Sequence, residues 1–227
     1  MSPSLRKRVK RSIYRRLLRG VYRDLFEEEC ARRVILSVTR ALGQFDDGAQ
    51  HADLTISGLS SESGTILGEV VHALRRFARP EHALLLAGER RSARAAYSQA
   101  SRIPVERILT AGLHEDMDYR WNYEELPPPI PLVDIIASHA MLEHLVDPYR
   151  HVRDCYGLLR PGGVLVVHTV MPGFQYHRFP VDCFRFYPDW FEEVASRLSA
   201  QVAARYLSVQ GHVVYCLAKP PQDESAK

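Results

Sequence analysis

The sequence is poor in cysteine and contains no long apolar run. Its 227 residues include four cysteines, which are far apart and form no Cys-x-x-Cys pair: Cys30, Cys155, Cys183 and Cys216. This spacing argues against a zinc ribbon, and the scarcity of thiols suits a reducing compartment. No run approaches the roughly 20 apolar residues of a membrane-spanning helix, and the first residues lack the uninterrupted apolar segment of a secretory signal. We therefore expect a cytoplasmic protein.

Acidic residues are missing from the beginning of the chain. Residues 1–23 carry nine Lys or Arg and no Asp or Glu, whereas the rest of the chain holds 21 bases and 27 acids. Aliphatic residues recur at every fourth position, which predicts a basic amphipathic helix: Leu5, Val9, Ile13, Leu17, Val21 and Leu25. Residues 1–26 therefore suit an anionic membrane, which would make the protein peripheral there, or RNA. Docking on the domain or on a second subunit of a homo-oligomer explains the same pattern.

The strongest pattern runs from Val133 to Thr169 and predicts a strand–helix–strand unit. The apolar run at 133–137 indicates a buried parallel strand, and Asp147-Pro148 suits the start of a helix. Pro161-Gly162-Gly163 predicts the helix stop and a turn before a second strand. Such a unit has a right-handed crossover, and ligands bind at the carboxyl ends of its strands.

Short motifs in and after this unit resemble the second half of class I S-adenosylmethionine-dependent methyltransferases. They are Ser138, Leu142-Glu143-His144, Asp147-Pro148, Leu159-Arg160-Pro161-Gly162-Gly163, His177-Arg178-Phe179-Pro180 and Phe184-Arg185-Phe186-Tyr187-Pro188. The resemblance is good over residues 134–191, weaker over 82–126 and absent from 1–60. It implies a doubly wound, mostly parallel sheet of about seven strands, a cofactor, S-adenosylmethionine, and transfer of a methyl group.

We predict four segments in the chain. They are a basic helical arm at 1–33, a helical cap region at 34–80, a methyltransferase-like α/β domain at 81–219 and a disordered tail at 220–227. Residues 52–57 suit either a short strand or an extended connector. The domain is predicted to contain strands at 82–87, 107–113 and 119–123, a helix at 188–200 and a closing hairpin at 201–209 and 212–218.

The resemblance assigns the cofactor to the loops after the first strands. Binding requires a backbone that comes close to the methionine part of the cofactor, an acid for the ribose and a polar group for the adenine. The matching residues are Gly88, Glu89, His114, Glu115, Asp116 and Asn122, with Ser138 and His139 beside the sulfonium. The loop departs from the family because Arg90 and Ser92 stand where glycines are expected. Arg90 and Arg91 also suit another anionic ligand, and a vestigial pocket is a third interpretation.

Histidines form a second group of candidates at 139, 144, 168 and 177. Methyl transfer to a hydroxyl requires loss of a proton, and histidine titrates in the useful range. His139, at the strand end, is the first candidate base and His177 the second. A structural role is favoured for His144. Glu143-His144 resembles part of the Glu-x-x-Glu-His metal motif of small-RNA 2′-O-methyltransferases, but Ala140 takes the first Glu position, so we expect no metal.

The acceptor is predicted to bind at an aromatic loop that contains Asp182, Arg185 and Tyr187. Arg185 would clamp a carboxylate or a phosphate. We expect O-methylation of a small-molecule, sugar or glycolipid hydroxyl. The alternatives are a catalytically degenerate methyltransferase-like binding module and an RNA methyltransferase.

Overall fold

The computed structural model describes residues 29–30, 32–37, 54–57, 66–178, 180–208 and 210–222. Of the predicted arm, only helical residues at 29–30 and 32–33 fall inside this part. The arm's basic stripe, about half of the predicted cap region, Phe179 and residues 223–227 lie outside the described residues. Ile35 is buried and joins the domain core, so the chain before the α/β domain contacts it at this point.

A mixed eight-stranded sheet forms the centre of the fold. Its strands are β1 (Leu54–Ser57), β2 (Leu84–Ala87), β3 (Ile108–Gly112), β4 (Tyr119–Arg120), β5 (Val133–His139), β6 (Leu159–Val170), β7 (Gln201–Ser208) and β8 (His212–Ala218). The helices are α1 (Gly68–Phe77), α2 (Arg94–Ser101), α3 (Pro148–Gly157) and α4 (Pro188–Leu198). None of the described helices is long and apolar enough to cross a membrane.

The strand order is β1-β7-β8-β6-β5-β2-β3-β4, and every pairing is parallel except those of β8 with β6 and β7. The predicted doubly wound, mostly parallel fold is confirmed. Seven of the strands come from the α/β domain. The eighth strand is β1, in which Leu54–Ser57 pair with residues 205–208 of β7 at the sheet edge. Of the two interpretations of residues 52–57, the short strand is therefore the correct one.

Alternating side chains build a core on each face of the sheet. In β2, Leu84 and Leu86 belong to the core under α1 and α2, whereas Leu85 and Ala87 belong to the core under α3 and α4. All four are fully buried because helices cover both faces. This double burial explains why the parallel strands appear in the sequence as continuous apolar runs.

Helix α3 begins as the sequence predicts. The Asp147 carboxylate accepts a hydrogen bond of 3.0 Å from the Arg150 amide, and Pro148 occupies the first turn. The predicted turn after the helix is wrong, since β6 already starts at Leu159 and includes residues 160–163. A register shift in its pairing with β5 between Val133 and Ile135 accommodates them. Gly163 is required there, because a Cβ would lie 2.8 Å from the Asp134 carbonyl oxygen.

Parallel β2, β3, β5 and β6 end at the same edge of the sheet. Their following segments, at 88–90, 113–118, 140–144 and 171–187, therefore meet above that edge. This arrangement brings the sequence-predicted candidates from distant parts of the chain to one side of the molecule.

Candidate active site

His139, the last residue of β5, is held by two side chains from the neighbouring β2–α2 segment. Its Nδ1 lies 3.2 Å from Glu89 Oε1 and 3.1 Å from the Tyr97 hydroxyl oxygen. Burial, and then the Glu89 charge, raise the pKa of Tyr97 well above its usual value, so Tyr97 keeps its proton. A carboxylate only accepts, so Nδ1–H of His139 donates to Glu89 and Nε2 keeps its lone pair. The role of His139 as a base stays a prediction, and this geometry leaves its Nε2 able to accept a proton.

Two further imidazoles continue from His139 along the sheet edge. The ring centroids of His139 and His168 are 4.7 Å apart, and His168 Nε2 lies 3.1 Å from His212 Nδ1. The Ala140 amide donates to His168 Nδ1 at 3.1 Å, which leaves the proton of the neutral ring on Nε2, facing His212. Burial and the two neighbouring rings hold the pKa of His168 well below its usual value, and burial lowers that of His212 to about 4. Both rings are neutral at pH 7.

Ser138 was predicted to lie beside the sulfonium, and its side chain is buried beneath α3. The Ser138 hydroxyl is 2.8 Å from His151 Nε2. Burial lowers the pKa of His151 to about 3, so this imidazole is also neutral. The pair ties β5 to α3, directly behind the strand end that carries His139.

On the predicted cofactor side, the polar residues are more exposed. The Arg90 guanidinium lies 3.3 Å from His114 Nε2, which joins the loops after β2 and β3, and Glu115 and Asp116 are exposed. Asn122 is half-buried and donates to Glu125 Oε1 at 3.0 Å. These positions match the strand ends expected from the sequence, and their contact with a cofactor stays a prediction.

Asp118 and Gly88 shape this side through contacts that no local sequence pattern indicates. The Asp118 carboxylate accepts bonds from the Thr110 amide and hydroxyl at 2.8 and 3.0 Å and pairs with Arg91 and Arg94. Arg91 therefore has a structural role, as an ion-pair partner of Asp118. Gly88 has φ +94°, and a Cβ there would lie 2.9 Å from Met141 Cγ and closer still to its Sδ. Another L-residue would be strained at this φ, and Met141 covers the face of Gly88 that a Cβ would occupy.

Glu143, at the centre of the Leu-Glu-His motif, is fully buried and lies beside two histidines. Its Oε2 accepts a bond of 2.6 Å from the Thr169 hydroxyl, whereas Oε1 has no hydrogen-bond partner. Nε2 of His144 and Nε2 of His177 lie 3.9 and 3.8 Å from that oxygen. The structure thus brings His177, the second candidate base, to Glu143 rather than to His139.

The predicted acceptor loop is held together by two of the three residues that were expected to bind substrate. The Arg185 guanidinium donates to both Asp182 oxygens and to the carbonyl oxygens of Phe174, Gln175 and Phe184. The Arg185 bond lowers the pKa of Asp182 to about 2, and the buried carboxylate also accepts the His177 amide at 2.7 Å. Because all three nitrogens of Arg185 are engaged in the loop, we assign Arg185 and Asp182 to loop structure.

Tyr187 is half-exposed and lines an open cavity of about 410 Å³ between the start of α3 and the loop before α4. The wall is largely aromatic: Tyr149, Phe184, Phe186, Tyr187 and Trp190. Phe186 is buried against Trp190, with ring centroids 4.8 Å apart. The aromatic residues therefore pack α4 on the sheet and also form the wall of this cavity, whose binding of an acceptor stays a prediction.

The fold is that of a doubly wound α/β protein, a class in which ligands bind at the carboxyl edge of the sheet, where these polar residues lie. Residues 95–167 match the family model described as a methyltransferase domain. This match spans 73 of the 227 residues and supports the resemblance to class I S-adenosylmethionine-dependent methyltransferases, a family of enzymes whose cofactor is S-adenosylmethionine.

Curated relatives agree over short segments. A Mycolicibacterium smegmatis protein named as a probable S-adenosylmethionine-dependent methyltransferase is 44% identical over 48 residues, covering 21% of this chain and 19% of the relative. A ubiquinone biosynthesis O-methyltransferase of Parvibaculum lavamentivorans is 30% identical over 82 residues, covering 34% of this chain and 32% of that protein. The chain thus matches about a fifth and a third of their lengths.

Solved structures support the fold at low sequence identity. The 1,6-didemethyltoxoflavin-N1-methyltransferase of Burkholderia thailandensis, with bound S-adenosylhomocysteine, has a TM-score of 0.54 at 16% identity and covers 67% of this chain and 77% of its own. SpnF, a 4+2 cyclase, has a TM-score of 0.55 at 12% identity, covering 87% and 98%. Since one neighbour is a cyclase, the fold alone does not fix the reaction.

Proposed function

We propose that this protein transfers a methyl group from S-adenosylmethionine to a hydroxyl oxygen of a small molecule, sugar or glycolipid. The observation that carries the proposal is the distance of 3.2 Å between His139 Nδ1 and Glu89 Oε1 at the carboxyl edge of the sheet. A hydroxyl loses a proton when it accepts a methyl group, and an imidazole fixed by a carboxylate is suited to take that proton.

The cofactor would supply an electrophilic methyl group. The chain's own task is then to align the acceptor and receive its proton. Glu89 orients the ring of His139 and stabilises its charged form after proton transfer, while Tyr97 fixes the same Nδ1 from a second side. The neutral, buried ring of His168 packs against the other side of the His139 ring.

Two relatives support an oxygen or ring acceptor of low molecular mass. The Parvibaculum protein is named an O-methyltransferase, and a rice protein, 32% identical over 77 residues, is named a 2-methyl-6-phytyl-1,4-hydroquinone methyltransferase. These matches cover 32% and 23% of those proteins, so the acceptor class for this chain is our proposal.

A second candidate function is a binding module that has lost catalysis. Two features favour this function. The Met141 side chain lies over Gly88, and Arg90, which stands where a glycine is expected, contacts His114. Both features narrow the space in which the methionine part of the cofactor would approach the backbone.

Calorimetry with S-adenosylhomocysteine separates the two functions. We expect binding at a single site, followed by methylation of a hydroxyl acceptor when radiolabelled S-adenosylmethionine is incubated with panels of phenols, hydroquinones, sugars and glycolipids. Binding without any methyl transfer would favour the module. No binding at all would contradict the enzyme proposal.

We also propose that residues 1–26 bring the protein to its acceptor at an anionic membrane. Support comes from nine basic residues in 1–23, the continuous aliphatic stripe, and few aromatic residues suited to stacking on RNA bases. A truncated protein starting near Glu27 should bind S-adenosylhomocysteine normally but lose salt-sensitive binding to phosphatidylserine vesicles.

Salt-sensitive RNA binding without vesicle binding would instead support an RNA methyltransferase. Loss of the fold or of a homo-oligomer on truncation, with neither surface bound, would make the arm structural.

A further inference from the structure

We propose that Glu143, His144 and His177 form a binding site for a divalent transition-metal ion, with Zn²⁺ as the preferred ion. One ligand atom from each residue lies within 4.8 Å of the other two. This proposal replaces the sequence-based expectation of no metal, which rested on Ala140. The structure supplies the third ligand from His177, in the segment after β6.

The hydrogen bonds of both imidazoles leave Nε2 free to bind a cation. His144 Nδ1 is 2.6 Å from the Val181 carbonyl oxygen, and His177 Nδ1 is 3.2 Å from that of Gln175. A carbonyl only accepts, so each Nδ1 carries the proton and each neutral ring has its lone pair on Nε2. Metal-binding histidines typically show this pattern, in which the second nitrogen donates to a carbonyl or a carboxylate.

Glu143 provides an independent reason for a cation at the same place. Its side chain is fully buried, Oε2 is bonded to Thr169, and Oε1 has no hydrogen-bond partner. The two Nε2 atoms that face Oε1 are 3.8 and 3.9 Å away, beyond hydrogen-bond reach. Three acceptors therefore converge on one point, and a positive ion satisfies all of them.

Two imidazoles and one carboxylate form a ligand set that suits Zn²⁺ better than Mg²⁺ or Ca²⁺, which prefer oxygen. Tetrahedral Zn²⁺ with bonds of about 2.1 Å places its ligands about 3.4 Å apart. The two nitrogen–oxygen distances of 3.8 and 3.9 Å exceed this value by a few tenths of an ångström, so the ligand atoms must move closer when the ion binds. His177, whose side chain is 35% exposed, lies where such a movement is easiest.

The ion would join two segments that already share backbone bonds. The Glu143 carbonyl oxygen accepts from the Cys183 amide at 2.7 Å, and His144 bonds to Val181. Metal binding would therefore fix the segment 171–187 on the turn after β5. Three protein ligands leave a fourth position open, and its use by the acceptor oxygen rests on the proposed function.

The test uses tag-free, full-length protein that has been freed of metal by dialysis against a chelator. Isothermal titration with ZnCl₂ and with MgCl₂, together with thermal melting, measures binding without methyl transfer. His177→Gln and Glu143→Gln remove ligands, and His72→Gln removes an exposed histidine of α1 as a matched control.

We expect one equivalent of Zn²⁺, a raised melting temperature, and much weaker binding of Mg²⁺. His177→Gln should weaken Zn²⁺ binding at least a hundredfold and abolish the thermal shift, whereas His72→Gln should change neither. Glu143→Gln should act like His177→Gln. If this buried variant fails to fold, His177→Gln alone decides.

Absence of stoichiometric binding to the wild type, equal loss in His72→Gln, or full binding by His177→Gln would overturn the site. A protein that binds Zn²⁺ as described but transfers no methyl group would contradict only the proposed function. One that transfers methyl groups and binds no metal would contradict only the site.

Discussion

The two halves of the carboxyl edge differ in how much of their polar chemistry is already satisfied within the protein. After β2 and β3, Arg90, His114, Glu115 and Asp116 are exposed and make few direct contacts. After β5 and β6, the side chains of Glu143 and Asp182 are buried: both oxygens of Asp182 pair with Arg185, whereas Glu143 bonds to Thr169 through Oε2 and has an unpartnered Oε1. The polar groups of the first half are thus mostly open to solvent, and those of the second half are mostly enclosed by the protein.

Under the proposed function, this contrast separates an open cofactor side, where the loop at Gly88 departs from the family that the chain resembles, from a more enclosed acceptor side. Preorganised groups contribute more to catalysis than groups that must be ordered during the reaction. The contrast also predicts that substitutions on the two sides will impair different properties of the protein. Those after β5 and β6 should affect rate or stability, and those after β2 should affect ligand affinity.

The largest effect is expected for His139→Ala. If His139 is the base, the methyl-transfer rate should fall about a hundredfold or more, with little change in the affinity for S-adenosylhomocysteine. Steady-state kinetics and calorimetry measure the two quantities on the same protein. Tyr97→Phe, which removes one contact of Nδ1 and keeps Glu89, should have a smaller effect. An unchanged rate in His139→Ala would make this histidine structural.

Arg185→Ala should lower the free energy of unfolding by about 3 kcal/mol, because it leaves the buried Asp182 carboxylate without its partner. Arg178→Ala is a matched control in the same loop: Arg178 is exposed, and its Nε donates one bond, to the Pro180 carbonyl oxygen. That change should cost less than about 0.5 kcal/mol. Urea unfolding measures both. If Arg185→Ala kept its stability but bound the acceptor weakly, Arg185 would be the substrate clamp that the sequence first suggested.

His151 should make stability depend on pH below neutrality. Its pKa is about 3 in the folded protein, against about 6.5 when unfolded, so the unfolded state binds the extra proton between these values. Stability is therefore full above pH 6.5 and falls as the pH drops toward 3. Between pH 7 and pH 5 the loss from this group should be about 2 kcal/mol. Urea unfolding of wild type and His151→Gln at both pH values isolates it. Equal losses in the two proteins would rule out His151 as the cause.

The smallest effect concerns Gly88. Gly88→Ala places a side chain at φ +94° and against Met141, so it should weaken S-adenosylhomocysteine binding about tenfold and also lower stability. The double variant with Met141→Ala removes the local overlap. If the cofactor lies over Gly88, the double variant should regain part of the stability but not the affinity. Full recovery of affinity would mean that the cofactor does not approach this residue.

Much of the fold could be predicted from the sequence because its signals are local. Strands buried on both faces are apolar runs, and Asp147-Pro148 marks the start of α3 by its own chemistry. The start of β6 was mispredicted because Pro161-Gly162-Gly163 is typical of a turn. Pairing with β5 through a shifted register is a tertiary effect that no local pattern contains.

For the candidate site, the sequence predicted which residues lie at the carboxyl ends of strands, but not the contacts that their side chains make. Sequence position placed Glu89 and His139 at the correct edge, but their contact joins residues 50 positions apart and depends on side-chain direction. Arg185 resembled a free anion clamp because the sequence does not show that backbone carbonyl oxygens and Asp182 bind its nitrogens. Tyr97, His151 and His212 were missed because isolated residues of these types are common in ordinary cores.

The pairing of β1 with β7 has a consequence for how the chain is made. Leu54 pairs with Arg205, so β1 leaves the ribosome long before its partner exists. Until β7 is synthesised, β1 has no neighbour in the sheet, and contacts across so much sequence form slowly because a large loop must close first. The edge of β7 is in turn protected only once this early segment has been recruited. Folding of the complete sheet is therefore a late event, and a chain cut between β1 and β2 should leave an open edge that promotes aggregation.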